Sequence, residues 1–229
     1  MLISEAIQKT KNFCCSIDAF TGNPIDPVTT RDKVTYGNTD QECTGIITCI
    51  WPTAHIIDEA RKSGANLIIT HEALFWNHGD HQDVVADNSA FIAKKELLDN
   101  WGGAIWRCHD YIHAGVPIEE DGSMADGIFY GFAWKLGWLG YRTGKLFNSM
   151  DYVIPPTPAR SLAKQIVKKL GLNGVRVVGD MDASVEHVRI PMHIMGGPGD
   201  TATANAMDSE RIDALLGMEM IDFTTCQYV

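Results

Sequence analysis

Residues 66–76, NLIITHEALFW, are the most informative segment of this sequence. Its short apolar run, Leu67 to Ile69, ends in His71 and Glu72, and both of these side-chain types bind metal ions in proteins. Short apolar runs of this kind are typical of buried β-strands. Open α/β sheets place their chemistry at the carboxyl ends of their strands. The stretch therefore predicts a strand whose end presents a pair of metal ligands.

A second stretch, AIWRCHDYIH at residues 104–113, repeats this arrangement, with an apolar run that leads into His109, Asp110 and His113. If both strands belong to one sheet, their ends lie side by side and form a single metal site. The alternatives are a solvated loop for the second stretch and, for the first, a helix N-terminus where Glu72 favours the helix dipole.

The segments around these stretches predict parallel strands. A helix at about 53–62 separates strand candidates at 44–51 and 66–70, and this β-α-β spacing is typical of a crossover connection. A second helix, from residue 89 to 99, leads to a third strand at 104–108. We expect these elements to form a first lobe, residues 1–142, that contains both ligand stretches.

The second half has elements of the same kinds. Strand candidates lie at 152–154, 175–178 and 185–195, and helices are expected at 157–170 and about 201–216. We therefore predict an α/β fold of two similar α/β lobes, 1–142 and 143–229, with mixed or parallel sheets and the metal site between them.

Composition and charge exclude several classes of protein. Acidic residues outnumber basic ones 29 to 19, and no Lys/Arg cluster offsets this, so a nucleic-acid partner is disfavoured. The six cysteines show no CxxC pair and no disulfide framework, which favours reduced thiols and a cytoplasmic location. No apolar run approaches the ~20 residues that span a bilayer, so we predict a soluble protein without a membrane partner.

Two further motifs can be interpreted either as functional sites or as ordinary loops and turns. His78, Asp80 and His81 follow the first ligand stretch and could support a metal or line a substrate site, but we favour an exposed loop. The glycine-rich segment from Gly196 to Gly199 could bind an anion with its backbone N–H groups. It lacks the residues of a P-loop and the spacing of a dinucleotide fingerprint, so we favour a simple tight turn.

Several motifs together resemble one known family. LIITHEALFW, WRCHDYIH and DGIFYGFAWKLGW, with VRVVGD and MEMIDFTTCQYV further along, are similar to the dinuclear metal-centre hexameric proteins, a group often labelled type 2 GTP cyclohydrolase I. The resemblance extends over nearly the whole chain from about residue 43. Its two histidine motifs are the most specific parts.

The resemblance also implies roles for residues. The usual family pattern has two adjacent histidines at His71-Glu72, and it has His-Thr-Asn-x-Asp where this chain has residues 109–113. One change replaces an imidazole by a carboxylate and the other does the reverse, so the set of ligands is preserved. The implied metal ligands are His71, Glu72 and His113, the implied catalytic residues are His109 and Asp110, and Asp126 is a further candidate.

The family pattern continues beyond the position of Val229 to a Gly-His-x-x-Ser-Glu segment that supplies two more ligands. The resemblance therefore implies that the second lobe is cut short at its C-terminus. Glu219 and Asp222 are the last acidic residues that could lie near the site.

The implied activity is that of a divalent-metal-dependent hydrolase with a dinuclear centre. Two ions ~3.5–4 Å apart can activate water and polarise the bond under attack. Mixed imidazole and carboxylate ligands suit zinc, iron, manganese or nickel. The resemblance implies a small-molecule substrate, a nucleotide or another cyclic amide-type ring, and a homo-oligomer, most simply a hexamer. The alternatives are a non-catalytic, metal-binding, ring-forming scaffold protein and a plain α/β ligand-binding module that uses the Gly196–Gly199 segment.

Overall fold

The computed structural model describes residues 1–19, 21–118, 122–143, 150–191, 194–219 and 226. The chain divides into two compact units, Met1–Gly127 and Ile128–Val229, and each contains helices and a β-sheet. The predicted α/β class with mixed sheets is therefore confirmed. The boundary predicted between the two lobes, after residue 142, lies further along the chain than the observed division after Gly127.

The first unit is built on a four-stranded sheet. Its strand order is β1 (Val34–Tyr36), β4 (Ala104–Arg107), β3 (Leu67–Thr70), β2 (Ile46–Cys49). Strands β2, β3 and β4 are parallel, as the β-α-β spacing predicts, and β1 pairs antiparallel with β4. Strand β1 was not predicted, because three residues within a Gly- and Asp-rich segment show no measurable period.

Helices cover both faces of this sheet. They are α1 (Ile3–Phe13), α2 (Ala54–Ser63), α3 (Ser89–Trp101) and the short α4 (Asp110–Ala114), with a 3-10 turn at Asp83–Val85 and a small hairpin of β5 (Val116–Pro117) and β6 (Met124–Ala125). Local sequence explains the limits of α2, since the Thr53 hydroxyl accepts the N–H of Ile56 and Gly64 ends the helix at φ 75°.

Strand β3 lies at the centre of the core of the first unit. Leu67 packs with Ile3 and Trp106 on one face, whereas Ile68 packs with Ile57, Leu98 and other residues on the opposite face. Successive side chains of a strand point to opposite faces. An uninterrupted apolar run is therefore what a strand covered on both sides requires.

The second unit consists of α5 (Gly127–Leu136), a 3-10 turn at Leu139–Tyr141, β7 (Met150–Pro158), α6 (Ala159–Leu170), β8 (Ser184–Ile190), α7 (Pro198–Glu210) and β9 (Ala214–Leu215). Its three-stranded sheet has the order β7-β8-β9, with β7 and β8 antiparallel and β8 and β9 parallel. Helix α5 buries Phe129, Ala133 and Leu136 in the core of this unit.

One predicted strand of the second unit is wrong. Residues 175–178 have no regular structure, and Val175, Val177 and Val178 are exposed. β-branched residues favour strands only where a pleated, partly buried surface receives them, and no such surface covers these valines.

The longest described helices, α3 and α7, have 13 residues each. No described helix is long and apolar enough to cross a membrane.

Candidate metal centre

Strands β3 and β4 bring the two ligand stretches to the same edge of the sheet. Their parallel register pairs Thr70 with Arg107, so the chain leaves both strands at the same level. The backbone N–H of Cys108 donates to the Thr70 carbonyl at 2.8 Å, which continues the pairing one residue further. His71 and His109 therefore follow neighbouring strand ends.

Three imidazoles meet at this edge. The ring centroids of His71 and His109 are 4.7 Å apart, and His113 lies 4.9 Å from each of them. Each residue offers one ligand nitrogen, and these nitrogens all lie within 4.8 Å of one another. His113 joins the group because α4 follows β4 directly, and side chains four residues apart lie on one helix face. We call these three residues the histidine triad.

The Nδ1 atom of each triad ring is held by an oxygen. That oxygen is the Cys108 carbonyl for His71 at 3.3 Å, Asp110 Oδ1 for His109 at 2.8 Å, and Asp126 Oδ2 for His113 at 2.7 Å. Oxygens of this kind fix the tautomer of metal-binding histidines and present Nε2 to the ion. The donor set fits a divalent ion that prefers imidazole ligands, such as zinc, iron or nickel.

Within the triad, His71 has the protonation state that metal binding requires. Burial, followed by the charges of His113 and His109, lowers the pKa of His71 to about 4. Burial opposes protonation of His113 as well, but the hydrogen bond with Asp126 and nearby carboxylate charges outweigh it and raise the pKa of His113. His71 is therefore a neutral imidazole at neutral pH, which is the form that binds metals.

Glu72 is buried beside the triad and paired with Arg107. Its Oε2 accepts from Arg107 Nη2 at 3.0 Å, and its Oε1 lies 3.9 Å from His71 Nε2. Arg107 is itself buried and also donates to the carbonyls of His71 and His78. Arg107 was not predicted as a site residue, although a single charged residue in an otherwise apolar strand is a signal of a buried ion pair.

His78 lies beside the triad on a loop that is exposed, as expected, and its side chain is 52% exposed. Its ring centroid lies 4.7 Å from that of His109, and Arg107 Nη2 lies 3.1 Å from its Nδ1. Asp80 explains the fold of the loop, because its carboxylate accepts the backbone N–H groups of Leu74, Phe75 and Trp76. His78, Glu72 and His109 form a second group whose candidate ligand atoms lie within 4.8 Å of one another.

Asp32 holds the start of α4 and was missed entirely. Its Oδ1 accepts the N–H of His109 at 2.8 Å, and its Oδ2 accepts those of Asp110 at 2.7 Å and Tyr111 at 3.3 Å. It lies 77 residues before His109 in the chain, within a loop rich in polar residues, so no sequence signal distinguished it.

Asp110 orients His109. Burial opposes its ionisation, but the hydrogen bonds with the His109 ring, the Arg31 N–H and the Thr30 hydroxyl outweigh this and lower the pKa of Asp110. The Asp110 carboxylate is therefore charged, and both of its oxygens accept hydrogen bonds. The catalytic roles of His109 and Asp110 and the metal roles of the other residues stay predictions.

The remaining acidic candidates, Glu219 and Asp222, come from the part of the chain that forms the second unit. All members of the triad and of the second group belong to the first unit. Glu219 lies in the second unit, and Asp222 is outside the described residues. At the Gly196–Gly199 segment, Asp200 accepts the N–H groups of Met195 and Gly197, which is the pattern of a capped turn.

Comparison with known sequences identifies one family over part of the chain. The model of the Duf34/NIF3 family (NGG1p interacting factor 3) matches residues 33–98, a segment that includes His71 and Glu72. No curated protein matches the chain.

Solved structures extend the similarity to the whole chain. A Staphylococcus aureus protein, SA1388, matches with a TM-score of 0.63 and 14% identity over 99% of this chain and 82% of its own. A Bacillus cereus protein related to NIF3 matches with a TM-score of 0.63 and 14% identity, over 99% and 84%. Reduced HcgD from Methanocaldococcus jannaschii matches at 0.59 and 14%, over 100% and 82%. The chain therefore has the fold of these proteins, and residues 33–98 match the Duf34/NIF3 family model.

Proposed function

We propose that this chain is a member of the Duf34/NIF3 family and a divalent-metal-dependent hydrolase. The observation that supports this most directly is the histidine triad, whose ligand nitrogens lie within 4.8 Å of one another while an oxygen holds each Nδ1 atom. Three imidazoles are a frequent ligand set of catalytic metal sites, which leave a further position open for water or substrate.

The neighbours of the triad have distinct roles in this proposal. A divalent ion, when bound, would lower the pKa of a water molecule and polarise the bond under attack. Arg107 holds Oε2 of Glu72, and Oε1 lies 3.9 Å from His71 Nε2, where it can ligate or accept a proton. Asp110 and Asp126 orient the rings of His109 and His113.

The finer features of the proposal come from the sequence. The family resemblance supports a dinuclear centre, a nucleotide or cyclic amide-type substrate and a homohexamer, and the cysteine pattern supports a cytoplasmic location. The second group, formed by Glu72, His78 and His109, is where the described residues offer ligands for a further ion.

The test combines metal analysis with a substrate screen. Purified protein should contain zinc, iron, manganese or nickel and should hydrolyse a nucleotide or cyclic amide in a chelator-sensitive manner. The His71→Ala variant should lose both metal and turnover. The His81→Ala variant is the matched control, because His81 is an exposed histidine of the same loop outside both ligand groups.

Three outcomes separate the alternatives. Turnover that disappears only in the His71→Ala variant supports the hydrolase. Tight metal binding without turnover favours a non-catalytic metal-binding scaffold. Protein that binds no divalent metal under any of these conditions refutes the proposal.

A further inference from the structure

We infer that Arg107 takes the place of a second metal ion, so that the site binds one divalent ion per chain. This inference rests on the proposed metal-dependent function, and it replaces the dinuclear centre that the family resemblance implies with a site for one ion. It concerns the number of ions, which follows from the hydrogen bonds of His109, Glu72 and His78.

His109 belongs to both ligand groups but can bind only one ion. Its Nδ1 lies 2.8 Å from the charged carboxylate of Asp110, to which it donates a hydrogen bond. An imidazole that donates from Nδ1 has one lone pair, on Nε2, to offer. An ion in the triad uses that lone pair and leaves the second group with Glu72 and His78 alone.

Arg107 engages both of these remaining residues through one nitrogen. Nη2 lies 3.0 Å from Glu72 Oε2 and 3.1 Å from His78 Nδ1. A guanidinium has donors and no acceptor, so Nδ1 of His78 must accept. The neutral His78 ring then has its proton on Nε2 and offers no free lone pair to an ion.

The charge of Arg107 also opposes a second ion. Its side chain is 2% exposed, and a cation bound between Glu72 and His78 would lie beside the guanidinium in a weakly screened environment. The guanidinium is also held in place, because Nε donates to the His71 carbonyl at 3.0 Å and Nη1 to the His78 carbonyl at 2.7 Å. Arg107 therefore balances the Glu72 charge, as a second ion would.

The first measurement is the metal stoichiometry of the full chain. Metal-free protein is titrated with Zn²⁺ against a chromophoric chelator, and bound metal is counted by elemental analysis after gel filtration. We expect one tight equivalent per chain. With Mn²⁺, electron paramagnetic resonance should show isolated ions and no exchange-coupled pair.

The second measurement uses variants of Arg107. The Arg107→Met variant should bind a second Zn²⁺ equivalent, because it releases Glu72 and His78. The Arg107→Lys variant keeps the positive charge and should still bind one equivalent. The double variant Arg107→Met/Glu72→Gln should return to one equivalent, because it lacks the carboxylate of the second group.

The outcomes distinguish this inference from the proposed function. Two tight equivalents in the unaltered chain, or a coupled Mn²⁺ pair, overturn the role of Arg107 and leave the metal-dependent function intact. No bound metal overturns both. If the Arg107→Met variant does not fold, the Glu72→Gln variant decides: one retained equivalent supports the inference, and loss of an equivalent from two overturns it.

Discussion

Replacing Asp32 by alanine tests whether the start of α4 positions the metal ligands. Asp32 accepts the N–H groups of His109, Asp110 and Tyr111, and it is 4% exposed. Loss of a helix N-cap costs about 1 kcal/mol, and each buried N–H left without an acceptor costs roughly 1–3 kcal/mol. Water can reach some of these N–H groups after truncation. We therefore expect the free energy of unfolding to fall by about 3 kcal/mol in the Asp32→Ala variant.

Thermal unfolding measures this loss. For a chain of this size, 1 kcal/mol corresponds to about 2–4 °C in Tm, so the Asp32→Ala variant should melt roughly 6–12 °C lower. Its affinity for Zn²⁺ should also fall, because His109 and His113 depend on the same backbone. The control is Asp40→Ala, which removes an exposed aspartate.

An unchanged affinity for Zn²⁺ together with a Tm within about a degree of that of the original chain would refute this account. The backbone of α4 would then hold its position without Asp32. A lower Tm with unchanged affinity would show that Asp32 stabilises the fold without positioning the ligands.

Three further predictions concern stability. In metal-free protein, the Arg107→Met variant leaves the buried Glu72 unpaired. Its free energy of unfolding, measured in urea, should be lower by about 3–5 kcal/mol, and a decrease below about 1 kcal/mol would contradict a buried ion pair. The pKa of His71 falls from 6.5 to about 4 on folding. Its contribution to stability is present above pH 6.5 and is lost as the pH falls towards 4, by up to ~3 kcal/mol, and this part of the pH profile should be absent in His71→Asn. Gly37 has φ +83° and an added Cβ would lie 2.1 Å from a backbone oxygen, whereas Gly22 has φ +69° and open space. Gly37→Ala should therefore destabilise by several kcal/mol and Gly22→Ala by about 1 kcal/mol, and equal effects would contradict the clash.

The sequence was sufficient for the features that depend on neighbouring residues. The apolar run before His71 identified β3, and the run before His109 identified β4, because a strand covered on both faces needs an uninterrupted apolar stretch. The helix expected at about 53–62 is α2, whose limits at Thr53 and Gly64 are set by caps that lie within one turn. The convergence of the two ligand stretches followed from the parallel arrangement alone.

Short elements were harder to predict from the sequence. Strand β1 has three residues, so its pairing with β4 depends on the partner strand more than on its own pattern. Residues 175–178 show the opposite case, since a favourable composition forms no strand where no partner surface receives it.

The order of residues along the chain was enough to predict that imidazole and carboxylate groups follow two strand ends. The contacts that these groups make depend on how distant segments pack in the folded protein. Asp32 reaches α4 from 77 residues away, and Arg107 joins Glu72 and His78 through one guanidinium. These contacts link residues that are far apart in the chain, so no local period or spacing encodes them. The packing of the first unit therefore determines which nitrogen and oxygen atoms are available to bind a metal ion.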